Sequence, residues 1–461
     1  MTMVLGALWV VLWGVVFLSV LVFIHEGGRY LAARAFDVRV TEFYLGLPCP
    51  VRIFHKSKKH GTEFGVTAFL LGGYNRISGM GPIPEGDLAR AFAIVQREGR
   101  IDATDVATEM GISDDEAYSL LIGLCDLAAI RPFYNPELGE EPTQKTYPAA
   151  FETIARDGNF LTEYDSGHDF DAPGTTGDGV PRPLTHPERQ LEDERSHTYQ
   201  GLGYFKRLAI LVAGPLVNII LALLLVTAAY MSYDYVIAQN VNVLGTVEEG
   251  SIAEAAGLKE GDTIVSVAGT ETADWMEVVE ALGSAKEAGN DFEVVYERDG
   301  QRQATTVDLP EGETVDIIGV MPTYEPYHMT LGESVSASFN YAGLVASVAV
   351  RLIMPQHTME VLDQSSSVVG ISVMAAEAVS AGFWEAMAVI AAISMSLGFM
   401  NLLPIPPLDG GKILMETVSL IIRRPVPTKV TNGLSYAGVA FFIFIFCVAL
   451  KNDILGIVSG L

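Results

Sequence analysis

Four stretches of this chain carry no charged residue over lengths that cross a bilayer: residues 3–24, 208–231, 386–408 and 431–450. Hydrocarbon leaves every backbone N–H and C=O to be satisfied within the protein, so apolar runs of about 20 residues cross as helices. The bulk numbers describe blocks rather than a blend. The 461 residues carry a formal charge of −27, yet their mean hydropathy is +0.31, so acidic and apolar residues occupy different parts of the chain. The first stretch lacks a basic n-region and a small-residue cleavage site, and its apolar run is too long for a signal peptide; a retained helix is expected. The acidity argues against a nucleic-acid partner, which needs a basic footprint. Cys49, Cys125 and Cys447 stand far apart and form neither a C-x-x-C pair nor a disulfide framework.

Basic residues orient these spans. Arg29, Arg34, Arg39, Arg52, Lys56, Lys58 and Lys59 follow the first, and Lys206 and Arg207 precede the second. Lys412, Arg423, Arg424 and Lys429 lie between the third and fourth. Alternating spans put all three clusters on one side, which predicts a multi-pass cell (plasma) membrane protein with both termini extracytoplasmic.

The remaining sequence divides into blocks. Residues 1–80 hold the first span and then alternate apolar and polar letters with Gly breaks ("TEFGVTAFLLGGYNRISGM"), predicting a β-hairpin sheet at the membrane surface. Residues 84–135 have helical periodicity, with "ATEMGIS" as the turn of a helix-turn-helix, predicting a cytoplasmic, winged-helix-like insert. Residues 81–200 hold 9 Lys and Arg against 24 Asp and Glu, net −15, which suits protein contacts or a spacer rather than DNA. Residues 136–200, rich in Gly, Pro, Asp and Thr, read as an acidic flexible linker. The second span falls in 206–232. Residues 238–322 alternate strands and one helix around "GSIAEAAGLKEGDTIVSVAG" and look like an extracytoplasmic PDZ domain (α+β), a fold that binds extended peptides at a sheet edge or gates sterically. Residues 328–383 read as amphipathic helices along the membrane surface, and 384–461 carry the third and fourth spans. The fold class expected is thus an α-helical polytopic membrane protein of four transmembrane helices with these appended parts.

Chemistry concentrates in two places. His25 and Glu26 end the first apolar helix in "FIHEGGRYLAAR", and ionisable groups in a membrane helix are costly enough to signal function. "NLLPIPPLDGGK", residues 401–412, breaks the third span with three prolines and places Asp409 at about the depth of His25. An imidazole and a carboxylate at one depth suit a metal; Glu26 would then polarise a bound water as general base, and Asn401 could orient a substrate carbonyl.

These residues resemble the site-2 protease family of M50-type intramembrane zinc metalloproteases. The resemblance runs through "FIHEGGRYLAARAF", "GTEFGVTAFLLGGYNRI", "FKRLAILVAGPLVNIILAL", the PDZ block, "SSSVVGI" and "FMNLLPIPPLDGGKI", in that order, and leaves out about 84–200. It implies zinc held by His25 and Asp409, Glu26 as catalytic base, Asn401 and Asn218 positioning substrate, and Gly72, Gly73 and Tyr74 as the edge that pairs with an unwound segment. The implied activity is regulated intramembrane proteolysis, releasing a membrane-tethered factor such as an anti-sigma factor.

One letter departs from the family pattern. Arg29 stands where H-E-x-x-H has its second histidine, at i+4 on the face of His25. A guanidinium has no lone pair to give, and its fixed charge beside a divalent cation costs about 4 kcal/mol or more at ~4 Å and an effective dielectric near 20. Two protein ligands remain where catalytic zinc normally has three. His55 and His60 follow in the surface sheet, but nothing in the sequence brings them to the site. Arg29 is expected to pair with Glu26 or Asp409. Two functions follow: a protease of impaired zinc site, or a pseudoprotease that binds membrane segments through its groove and PDZ domain. A transporter or channel fits the paired motifs poorly.

Overall fold

The computed structural model describes residues 2–81, 84–142, 144, 146–289, 291–309, 318–424 and 426–459. It divides into two units, Met1–Ala229 with Val335–Leu461, and Tyr230–Ser334. In the first unit, helix α1 runs Thr2–Ala35, carrying the apolar run past His25 to the first basic residues. Four strands follow: β1 (Val40–Leu45), β2 (Arg52–Lys56), β3 (Glu63–Thr67) and β4 (Gly73–Ile77). Their order is β2-β3-β1-β4, with β1 parallel to β3 and antiparallel to β4, so the sheet is mixed rather than a plain hairpin. Gly65 lets β3 lie beside β1, because a Cβ there would meet the Tyr44 ring. Ile53, Val51 and Phe69 are well exposed, as suits a sheet against lipid.

Next come α2 (Leu88–Glu98), β5 (Arg100–Asp102), α3 (Ala103–Met110), α4 (Asp114–Asp126), β6 (Ile130–Phe133) and β7 (Ala150–Thr153). Asp87 caps α2, and Ser113 with Glu116 forms a capping box on α4, satisfying the first free N–H groups of each helix. The three strands pair in the order β5-β7-β6, over a core that includes Phe92, Val106, Leu121, Leu124 and Phe151.

Residues 136–200 are not the flexible linker that their composition suggests. They contain β7 and helix α5 (Pro187–Ser196), and Glu152, Asp165 and Glu194 are buried. The acidic residues that argue for disorder are matched by arginines, most of them from outside the block. Glu152 takes Arg100 and Arg131, each at 2.7 Å, and Glu194 takes Arg39 at 2.6 Å and Arg156 at 2.7 Å.

Helix α6 (Tyr204–Ser232) holds the second apolar run. The second unit then builds β8 (Tyr235–Ala238), β9 (Leu244–Val247), α7 (Ile252–Ala255), β10 (Thr263–Val267), β11 (Thr270–Glu271), α8 (Trp275–Glu287), β12 (Phe292–Arg298), β13 (Gln301–Val307), β14 (Val320–Pro322) and β15 (Tyr324–Tyr327). The main sheet is β11-β10-β12-β13, with β14-β9 and β15-β8 as separate pairs. Val267, Val278, Val294 and Val307 are among its core residues. Residues 290 and 310–317 of the block read as a PDZ domain lie outside those described.

The remaining helices are α9 (Leu331–Leu352), α10 (Thr358–Asp363), α11 (Val368–Ala381), α12 (Phe383–Asn401), α13 (Asp409–Ile422) and α14 (Thr428–Ser459). Among the described residues, five helices rather than four are long and apolar enough to cross a membrane, the extra one being Leu331–Leu352. Its mean hydropathy of 1.2 is well below the 2.7 of α1 and α6, which is why the sequence reads as amphipathic there. Helix α11, in the stretch that reads as surface helices, packs against α1 and α12, with Ser372 against Gly14. The third apolar run is helical only to Asn401, since prolines at 404, 406 and 407 deny the donors a helix needs.

Candidate active site

The apolar end of α1 is drawn against α6 by small residues. A Cβ on Gly28 would meet the Ala213 carbonyl at 2.6 Å, and one on Gly214 would meet the His25 imidazole at 2.6 Å. The His25 ring therefore lies on a helix face that only glycine leaves open. The proline segment brings Asp409 to the same place as the first residue of α13, where the helix N-terminus favours a carboxylate. Gly410 and Gly411 let that helix start tuck under residues 402–406. His25 Nε2 and Asp409 Oδ2 meet at 3.0 Å although 384 residues separate them. Both are buried.

Arg29 lies in the same cluster. Its Nη1 is 3.4 Å from both Glu26 oxygens and 3.9 Å from Asp409 Oδ1. Its Nη2 points at the Met80 sulfur at 3.4 Å, and its Nε has no partner among the described residues. Lys412 Nζ lies 3.8 Å from the same Asp409 oxygen. Two basic side chains, Arg29 and Lys412, thus stand beside the carboxyl groups of Glu26 and Asp409.

Of the expected groove residues, Gly72 and Gly73 lie against α1 at Val22 and Phe23. Strand β4 is an outer strand of its sheet and packs along α1. Gly73 nearly touches the Phe23 backbone, where a Cβ would sit 3.4 Å from Cα, and Asn75 Nδ2 donates to the Glu26 carbonyl at 2.9 Å. Tyr74 stacks on Tyr44 with ring centroids 5.4 Å apart and donates its hydroxyl to Glu42. Gly72, with φ +85, turns the chain into β4 and donates its N–H to Ser19 Oγ at 3.2 Å. Asn401 ends α12 and donates to its own helix at the Leu397 carbonyl, 2.8 Å away, making no bond to His25, Glu26 or Asp409. Asn218 is fully buried on α6, and neither atom of its carboxamide has a partner among the described residues.

A match to the model of peptidase family M50 covers residues 13–445. The chain belongs to peptidase family M50. Relatives of this M50 chain include a putative zinc metalloprotease of Lactococcus lactis, 27% identical over 96% of this chain and 97% of the relative. The regulator of sigma-W protease RasP of Bacillus subtilis is 23% identical over 95% and 97%. The probable protease Eep of Enterococcus faecalis is 25% identical over 95% and 97%. Zinc is therefore the metal expected of the family.

The residues of this M50 member fit that ion poorly. His25 and Asp409 supply two donors and touch each other directly, while the i+4 position presents a guanidinium. Among the described residues no group of three or more His, Cys, Asp and Glu is placed to hold a metal. The alternative histidines are engaged or remote: His60 Nδ1 lies 2.7 Å from Arg34 Nη2, and His55 is exposed on β2, the far outer strand.

Sequence reasoning missed Ser19, Met80, Tyr199 and Lys412. Ser19 had a readable signal, a lone hydroxyl two turns before His25 in an otherwise apolar helix. Met80 and Tyr199 had none, because both belong to connections whose course only the folded chain defines.

Proposed function

We propose that this chain is a receptor for transmembrane segments built on an M50 peptidase scaffold, with hydrolysis disabled by Arg29. The observation that carries this reading is the placement of the Arg29 guanidinium against Glu26 and Asp409, which adds a cation beside the two remaining donors. A fixed positive charge there substitutes for part of a divalent ion's charge without its coordination chemistry. The outer strand β4, lying along α1 at His25 and Glu26, offers main-chain pairing to an unwound segment. Asn218 and Asn401 are the groups we assign to hold its backbone. Buried Asn218, whose carboxamide lacks a partner among the described residues, has the capacity to take one carbonyl and one N–H.

The membrane topology we favour has four spans, with α9 lying on the surface and both termini and the second unit extracytoplasmic, since the basic clusters then share one side. The second unit we read as a PDZ domain taking a peptide segment. The 84–135 region, with its α-β-α-α-β-β continuation to 153, we read as a winged-helix-like module for protein contacts, its acidity disfavouring nucleic acid. Substrates would be membrane-tethered regulators, in keeping with the name of the Bacillus subtilis relative, a regulator of sigma-W protease.

A second reading is favoured by one observation: His25, Glu26 and Asp409 all persist within one cluster. It holds that the chain still binds zinc and cuts. Metal analysis of the purified protein separates the two. Near-stoichiometric zinc supports the peptidase and removes the receptor reading; substoichiometric zinc, together with zinc uptake and cleavage of a model transmembrane substrate by Arg29→His, supports the receptor. If both proteins stay metal-free and inactive, the assignment of this centre is wrong.

A further inference from the structure

The motifs that carry the family resemblance leave out about 84–200, yet residues 81–200, here called the insert, are bonded into the sheet beside the candidate site. Its exit segment, residues 197–199, enters between the ends of β1 and β4. Arg39 N donates to the His197 carbonyl and Tyr199 N to the Ser78 carbonyl, each at 2.9 Å, while Ser78 N donates to the Arg39 carbonyl at 2.9 Å. The insert thus takes the backbone groups with which β1 and β4 would have continued their own ladder.

Side chains lock this arrangement. Arg39, fully buried, donates to Asp165 at 2.6 and 2.7 Å and to Glu194 at 2.6 Å. Glu194 also takes Arg156. At the entry side, Gly81 N donates to Asp126 at 3.1 Å, and Gln200 Nε2 crosses to the Gly81 carbonyl at 3.2 Å. Between these two connections sit the residues that meet the centre. Met80 presents its sulfur to Arg29, and Tyr199, buried with Ile77, Ala33 and Leu211, donates to Glu416 of α13 at 3.3 Å.

We propose that the insert is the floor of the active centre and that Arg39 is a positioning residue, setting through the 197–199 strap where β4 ends. In this arrangement the insert decides whether the edge of β4 and the Arg29 cluster are closed beneath or open to water. The consequence for substrate rests on β4 as the docking edge; the mechanical coupling does not.

Ser78 provides the reporter. It is 1% exposed and its hydroxyl has no partner among the described residues, so Ser78→Cys sacrifices no hydrogen bond seen there. In solubilised full-length protein with Cys49, Cys125 and Cys447 replaced by Ala, this thiol should react slowly with a water-soluble maleimide. Tyr199→Ala, which leaves the Arg39 ion pairs intact, and Arg39→Met should each speed labelling by about tenfold or more, as local opening does. A companion chain retaining only Cys125, in α4, reads the insert's own fold and should stay slow in the Tyr199→Ala variant. If Arg39→Met accelerates Cys125 as well, the insert has unfolded and Tyr199→Ala alone decides. Equal Ser78→Cys rates in the parent and in Tyr199→Ala overturn the proposal. None of these rates depends on whether Arg29→His restores cleavage, so the two readings fail separately.

Discussion

Two buried arginines, ten residues apart, each face one aspartate and one glutamate, and they are held very differently. Arg39 grips Asp165 with two nitrogens and Glu194 with a third, all at 2.6–2.7 Å. Arg29 stands 3.4 Å from Glu26 and 3.9 Å from Asp409, with its Nε unpartnered. The planar fork of a guanidinium matches a carboxylate when the surroundings are built for it. Around Arg39 they are: the loop at 162–165 and helix α5 supply carboxylates at the fork's spacing, and Thr162 in turn bonds Asp165. Around Arg29 the carboxylates come from a helix i−3 position and a helix start, and His25 already takes the better Asp409 oxygen at 3.0 Å. The comparison separates an arginine gripped by a close-fitting pair of carboxylates from one held loosely.

The sharpest test replaces the misfitting residue. Arg29→His should raise bound zinc from near none to about one per chain, the stoichiometry of a three-ligand catalytic site, as read by metal analysis. The equivalent Arg39→His should bind no zinc and lose the insert's clasp; zinc at both positions, or at neither, would erase the distinction.

Removing charge instead of replacing it should rank the two sites by stability. Arg39→Met leaves Asp165 and Glu194 buried without their partner and should cost about 3–5 kcal/mol, measured as protection of the insert against proteolysis across a denaturant series. Arg29→Met should cost less, because Lys412 and His25 still face Asp409.

Acid should act on the clasp in a defined window. Burial would raise the Asp165 carboxyl, but the Arg39 guanidinium and the Thr162 donors outweigh it and bring it down to about 2. Glu194 is likewise held low against its burial by Arg156 and Arg39. For carboxyls depressed on folding, the stabilisation is complete above the ordinary carboxylate range and is lost as pH falls towards the folded value. The insert should therefore keep its stability from neutral pH to the ordinary Asp value and lose it between there and about pH 2. Hydrogen exchange of β7 and α5 checks this, and loss of protection already at mild acidity would contradict the clasp.

The smallest effect concerns Asn218. Relieving a buried, unpartnered carboxamide with Asn218→Leu should stabilise the helices by about 1–3 kcal/mol while weakening capture of a transmembrane peptide. A variant that destabilises would show instead that the carboxamide is satisfied within the bundle.

How much of this could be read beforehand differs between the same two regions. His25, Glu26 and Arg29 share one short motif, and Asp409 sits in a proline-broken apolar run, so charge in the wrong solvent marked each of them. Asp165 and Glu194 gave no such mark. They lie among acidic, Gly- and Pro-rich sequence that reads as disordered, and their partner Arg39 is 126 and 155 residues away. An isolated acidic run and a clasped one have the same composition. The fifth apolar helix, α9, escaped for a related reason: its polar residues lower its hydropathy without shortening it.

The sequence by itself determined the apolar runs, the motif pair and an arginine four residues after His25, because hydrocarbon imposes one rule on every residue within it. Tertiary structure alone decided which carboxylates each arginine meets, at what distance, and that the acidic insert is hydrogen-bonded to the ends of β1 and β4. Those outcomes depend on side chains converging from distant parts of the chain, where geometry at the scale of an ångström separates a clasp from a loose contact.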